Sequence, residues 1–221
     1  MQTSGASGSI QSFFLPGPAG RLEALLNAGA ADPSYAALVC HPHPLYGGTM
    51  HNKVVFHAAK ALNAFGYPVL RLNFRGTGLS QGEHDEGRGE TGDVQAGLDW
   101  LDHHFRLPLI TAGFSFGAAV GLRASCPDGR VQAVIGLGIP VDPAGERSYD
   151  LGFLGSCSKP KLFISGSLDK FGSRARLVEL VNSLPPPKKL VIIESADHFF
   201  EGRLGEMRKA VEDWVKETIA G

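Results

Sequence analysis

Short, unbroken apolar runs separated by amphipathic segments set the architecture open to this chain. Residues 36–40, 69–74, 109–114, 131–139, 161–165 and 190–194 read as strands with apolar side chains on both faces. Between them, residues 52–65 put Val54, Ala58, Leu62 and Phe65 on one helical face, with Gly66 as the stop. Residues 93–105 do the same with Val94, Leu98, Leu101 and Phe105, after a charged, glycine-rich loop over residues 75–92. Further helices are expected after residue 115, near residues 172–182, and at the C-terminus through Met207, Ala210, Val211, Trp214 and Val215. Such alternation predicts a mostly parallel α/β sheet covered by helices on both faces. Ahead of it, residues 10–15 and 21–26 flank Pro16-Gly17-Pro18-Ala19-Gly20, strong turn chemistry that predicts an antiparallel hairpin. No repeat or linker divides residues 1–221, which read as one domain.

Composition excludes several classes. Net charge is −1 with both signs interspersed, so neither nucleic acid nor an anionic membrane surface is an expected partner. No apolar stretch approaches the roughly 20 residues of a membrane span. Residues 1–10 lack the basic start and apolar core of a secretion signal. The three cysteines, Cys40, Cys126 and Cys157, are odd in number and irregularly spaced, which argues against a disulfide framework or a zinc site. A reducing, cytoplasmic setting is the corresponding expectation. No pattern dictates an oligomeric state.

One strand ends in Gly113-Phe114-Ser115-Phe116-Gly117 and continues into small residues, Ala118, Ala119 and Gly121. Read alone, this is a glycine-flanked strand-to-helix turn with Ser115 as helix N-cap. It also matches the G-x-S-x-G nucleophile elbow, in which a sharp turn exposes a serine hydroxyl above a helix N-terminus. A serine hydroxyl is a weak nucleophile, and the elbow places backbone N–H groups beside it.

A base and an orienting carboxylate must then converge on Ser115. Of the eight histidines, His198 follows the last predicted strand and precedes the last helix. That order places it at the carboxyl edge of the sheet, where open α/β sheets bind ligands. His103 and His104 end a helix, His51 and His57 border or lie on one, and His84 is in the polar loop. Asp169, after the strand at residues 161–165, is the expected acid, with Asp142 as its rival. Asp197 is adjacent to His198, and its side chain is expected to point elsewhere. The chain order Ser115, Asp169, His198 is one of the known orders for such a triad. An oxyanion hole would use the Phe116 N–H and a second donor from His41-Pro42-His43-Pro44-Leu45. Both prolines lack an N–H, leaving His43 or Leu45. His41 and His43 could chelate a metal, but no third ligand is near in sequence, so no metal and no organic cofactor is expected.

With these residues placed, the chain resembles the alpha/beta hydrolase superfamily over nearly its full length. The stretches that carry the likeness are residues 41–48, residues 73–80, the Ser115 elbow, residues 166–169 and Asp197-His198-Phe199-Phe200. It looks most like small bacterial members related to dienelactone hydrolases, with a serine where those carry a cysteine. The resemblance implies Ser115 as nucleophile, His198 as base, Asp169 as its partner and His43 as the second oxyanion donor, although proline stands where the family has glycine after His41. It implies an esterase for small to medium acyl esters. A thioesterase, amidase or peptidase would use the same machinery, and a silent binding protein the same fold. The usual cap position, residues 140–160, is too short for a large helical lid. Phe114, Phe116, Leu45, Tyr46, Phe199 and Phe200 are candidate apolar walls, with core packing the alternative for Phe114.

Overall fold

The computed structural model describes residues 9–143 and 148–219. Eight strands form one sheet in the order β1-β2-β4-β3-β5-β6-β7-β8. Strands β1 (Ile10–Gly17) and β2 (Gly20–Asn27) make the expected hairpin, with Gly17 opposite Gly20. Its second strand pairs antiparallel with β4 (Val69–Leu72). From there the sheet is parallel through β3 (Ala36–Cys40), β5 (Leu109–Phe114), β6 (Val131–Leu137), β7 (Lys161–Gly166) and β8 (Lys188–Ile193).

Each central strand feeds two cores, because successive side chains point to opposite faces. Along β3, Ala36, Leu38 and Cys40 enter one apolar cluster while Ala37 and Val39 enter the other. The first cluster is closed by α2 (Arg88–Phe105), α3 (Phe116–Ser125) and α4 (Arg174–Ser183), and the second by α1 (Lys53–Asn63) and α5 (Leu204–Thr218). Unbroken apolar strands are therefore the signature of a sheet with no wet face.

Two element boundaries and the state of two cysteines differ from the sequence reading. Helix α2 starts at Arg88 rather than at residue 93. Glu90 accounts for this: its buried carboxylate accepts the N–H groups of Asp85 and Gly87, and so caps a turn that looks like loop from its glycines. Strand β6 stops at Leu137 because Gly138 turns the chain at φ 50°. Cys126 and Cys157 are bonded, with Cα atoms 5.3 Å apart. This corrects the expectation of unpaired cysteines and removes the argument for a reducing compartment that rested on it. No helix among the described residues is long and apolar enough to cross a membrane.

Candidate active site

The elbow is a strained and closely packed turn of backbone. Ser115 sits at φ 55°, ψ −120°, a conformation that costs a non-glycine residue on the order of 1–3 kcal/mol. Its N–H donates to Leu137 O at 2.9 Å, and its carbonyl accepts from Ala118 N–H at 2.9 Å. The flanking glycines are required by contact. A Cβ on Gly113 would lie 2.2 Å from Gly117 O, and one on Gly117 would lie 2.4 Å from His41 O. Strand, helix and the loop after β3 thus touch through bare backbone. Phe116 opens α3, so its N–H has no acceptor within the helix.

The sequence-selected base and acid converge on this serine. His198 Nε2 lies 3.0 Å from Ser115 Oγ, across a separation of 83 residues. On the other side of the ring, Nδ1 lies 2.9 Å from Asp169 Oδ2 and 3.0 Å from Oδ1. Because the carboxylate only accepts, Nδ1 carries the proton and Nε2 is left to accept from the hydroxyl. Asp169 is itself held by Ser165 Oγ–H at 3.0 Å and Phe171 N–H at 2.8 Å. Both His198 and Asp169 are buried, and the imidazole is packed among Phe114, Phe171 and Phe199. The rival acid, Asp142, accepts instead from Ser173 N–H and Arg176. Asp197 caps its own turn through Phe199 N–H and Glu201 N–H, so its side chain does point away.

The loop after β3 is held from within. His41 is fully buried, and its Nε2 accepts Phe74 N–H at 2.9 Å. That assigns the ring proton to Nδ1, which donates to Pro42 O at 2.6 Å. Burial pushes this imidazole down to about 4, so it is neutral at ordinary pH. Both its nitrogens are engaged with backbone, which takes His41 out of any chelate with His43. Leu45 N–H, one of the two candidate oxyanion donors, is directed at His43 Nδ1 at 3.3 Å. Behind the loop, Asp93 grips Arg75 through its N–H and guanidinium, and Glu23 accepts from Asn73 and Leu79. Residues 73–80 are therefore scaffolding.

Ser115 and His198 open into a cavity of about 230 Å³ walled by His43, Tyr149, Phe171 and Phe199. Of the expected apolar walls, Tyr46 and Phe199 line this cavity, whereas Phe114 and Phe200 are fully buried in the core. Among the described residues, no group of three His, Cys, Asp or Glu side chains is arranged to hold a metal ion.

A family model for the alpha/beta hydrolase domain matches residues 39–219. The chain belongs to the alpha/beta hydrolase family. A protein of Rickettsia prowazekii is 37% identical over 92% of this chain and 87% of its own length. An alpha-beta serine hydrolase homologue from Coxiella burnetii is 36% identical, with a TM-score of 0.83 over 92% of this chain and 96% of that one. An alpha/beta serine hydrolase without lid from Xanthomonas campestris is 32% identical, with a TM-score of 0.83 over 95% and 94% of the two chains.

Sequence order did not reveal the rest of this hydrolase cleft. Tyr149 and Phe171 lie in connections after β6 and β7, in stretches with no motif, and they reach the cleft only through the fold. His84 read as a surface residue of a polar loop, yet its ring lies 4.8 Å from that of His43 and its Nδ1 lies 2.6 Å from the buried Glu90. A histidine six residues ahead of a glutamate gives no signal of that contact in the sequence.

Proposed function

We propose that the chain is a serine hydrolase that cleaves small to medium carboxylic esters through an acyl-enzyme. His198 Nε2 takes the Ser115 proton as Oγ bonds to the carbonyl carbon. Phe116 and His43 N–H groups receive the developing oxyanion. As the ester C–O bond breaks, His198 gives the proton to the departing alcohol, and an acyl-serine remains. Water then repeats the sequence: His198 takes its proton, its oxygen bonds to the acyl carbon, and Ser115 leaves with the proton as the carboxylic acid is released. Asp169 holds the imidazole and stabilises its charged form.

The observation that carries this reading is the unbroken chain of contacts Ser115 Oγ, His198 Nε2, His198 Nδ1, Asp169, at 3.0 Å and 2.9 Å. The strained φ of Ser115 supports it, because an N-cap serine would not need that conformation. We further read residues 1–221 as one domain without a large cap, in keeping with the relative described as lacking a lid. The test is labelling by a fluorophosphonate probe together with turnover of p-nitrophenyl acetate. Native protein should react and Ser115→Ala should not. A native protein inert to both reagents would sink the hydrolase reading, and equal labelling of the variant would sink Ser115.

A further inference from the structure

The cleft does not end at the nucleophile. A second cavity, of about 420 Å³, adjoins the first and shares the His43, Tyr46 and Tyr149 walls with it. Its remaining lining includes Phe116, His84 and Ser148, and it contains neither Ser115 nor His198. Five of its lining residues carry rings, and the exposed Leu45 and Glu86 complete its rim. The His43 ring lies 4.9 Å from Tyr46, 4.8 Å from His84 and 4.9 Å from Phe116, and Phe116 lies 6.1 Å from Tyr149. Offset and edge-on pairs at such distances are favourable, and a flat ring entering this space meets faces and edges on several sides. A cavity of about 150 Å³ already accepts benzene, so there is room for an aryl group.

The wall is fixed in place. Glu90, fully buried and anchored by two backbone N–H groups, stands against His84 Nδ1. Arg123 of α3 reaches Asp150 O and lies over the Phe153 ring at 5.1 Å, which holds the segment that carries Ser148 and Tyr149.

We propose that this second cavity receives the acyl arm of the substrate and selects acyl groups that end in an aryl ring. The assignment to the acyl side rests on the reading of Ser115 and His198 given above. The departing alcohol must take its proton from His198, so it lies on the Phe171 and Phe199 side. The oxyanion points at the Phe116 N–H. The remaining substituent of the tetrahedral carbon leaves across His43 and Phe116, toward His84.

The experiment compares p-nitrophenyl 3-phenylpropanoate with p-nitrophenyl hexanoate, with p-nitrophenyl acetate as the report on the hydrolytic centre. The aryl ester should exceed the alkyl ester at least tenfold in kcat/KM. That ratio should fall below threefold in His84→Ala, which removes a ring, and in Ser148→Trp, which fills the cavity from its exposed rim without disturbing the core. Acetate turnover with no preference between the two longer esters would overturn the aryl pocket and leave the hydrolase reading standing. A preference that survives both substitutions would also overturn it. Failure to hydrolyse any of the three esters would sink the hydrolase reading and this proposal with it.

Discussion

Gly117→Ala tests the physical account of the elbow. The added Cβ would lie 2.4 Å from His41 O, 2.5 Å from Cys40 O and 2.7 Å from Cys40 C, all backbone atoms. Ordinary contact begins near 3.4 Å, so about 1 Å of separation must be created. No side chain can rotate to provide it. Either α3 moves and carries Ser115, or the end of β3 moves and carries the loop of His41 and His43. Overpacking of this kind costs typically 1–3 kcal/mol, and a clash with fixed backbone belongs at the top of that range, about 3 kcal/mol. The second consequence is catalytic. A misplacement of about 1 Å between nucleophile and oxyanion donors costs on the order of 100-fold in rate. Urea unfolding should therefore show the stability loss, and p-nitrophenyl acetate turnover should drop about 100-fold in the fraction that remains folded. Gly205→Ala is the control of opposite sign: it lies in α5 with open space around the new Cβ, and should stabilise by about 0.5 kcal/mol. A Gly117→Ala protein within 0.5 kcal/mol of native and within threefold in kcat would refute the close-contact argument.

Three further outcomes follow from the geometry. Asp169→Asn should leave the fold intact and lower kcat by about 10⁴-fold, because the amide favours the wrong imidazole tautomer; a loss below tenfold would remove Asp169 from its role. His41 is depressed to about 4 from an unfolded value of 6.5, so the unfolded chain binds its proton first as the pH falls. Its contribution is complete above pH 6.5 and is lost on the way down to about pH 4, by roughly 3 kcal/mol; urea melts across that window should slope more steeply for the native protein than for His41→Gln. Removing the Cys126–Cys157 bond, which closes a separation of 31 residues, should cost roughly 3–4 kcal/mol on chain entropy. Equal melting temperatures with and without reductant would count against a formed bond.

What the sequence disclosed, and what it hid, follow from how far each constraint reaches along the chain. Strand and helix identity is local: unbroken apolar runs can be satisfied only by a sheet with both faces covered, and so the parallel core was readable. The candidate triad was readable for a related reason. Once strands are parallel, their carboxyl ends lie on one edge, and residues following β5, β7 and β8 must meet there. The distance of 83 residues between Ser115 and His198 was therefore no obstacle. The Cys126–Cys157 bond was missed because spacing says nothing about the approach of the end of α3 to the segment before β7. His84, Tyr149 and Phe171 were missed for the same cause, since loop side chains are aimed by packing and not by period. The elbow glycines join the two kinds of information. Their local pattern suggested a turn, but the need for glycine at 113 and 117 comes from backbones that meet at 2.2 Å and 2.4 Å from an absent Cβ. One of those backbones belongs to the loop of His41 and His43, so the motif that marks the proposed nucleophile also fixes its distance to the loop proposed to supply an oxyanion donor.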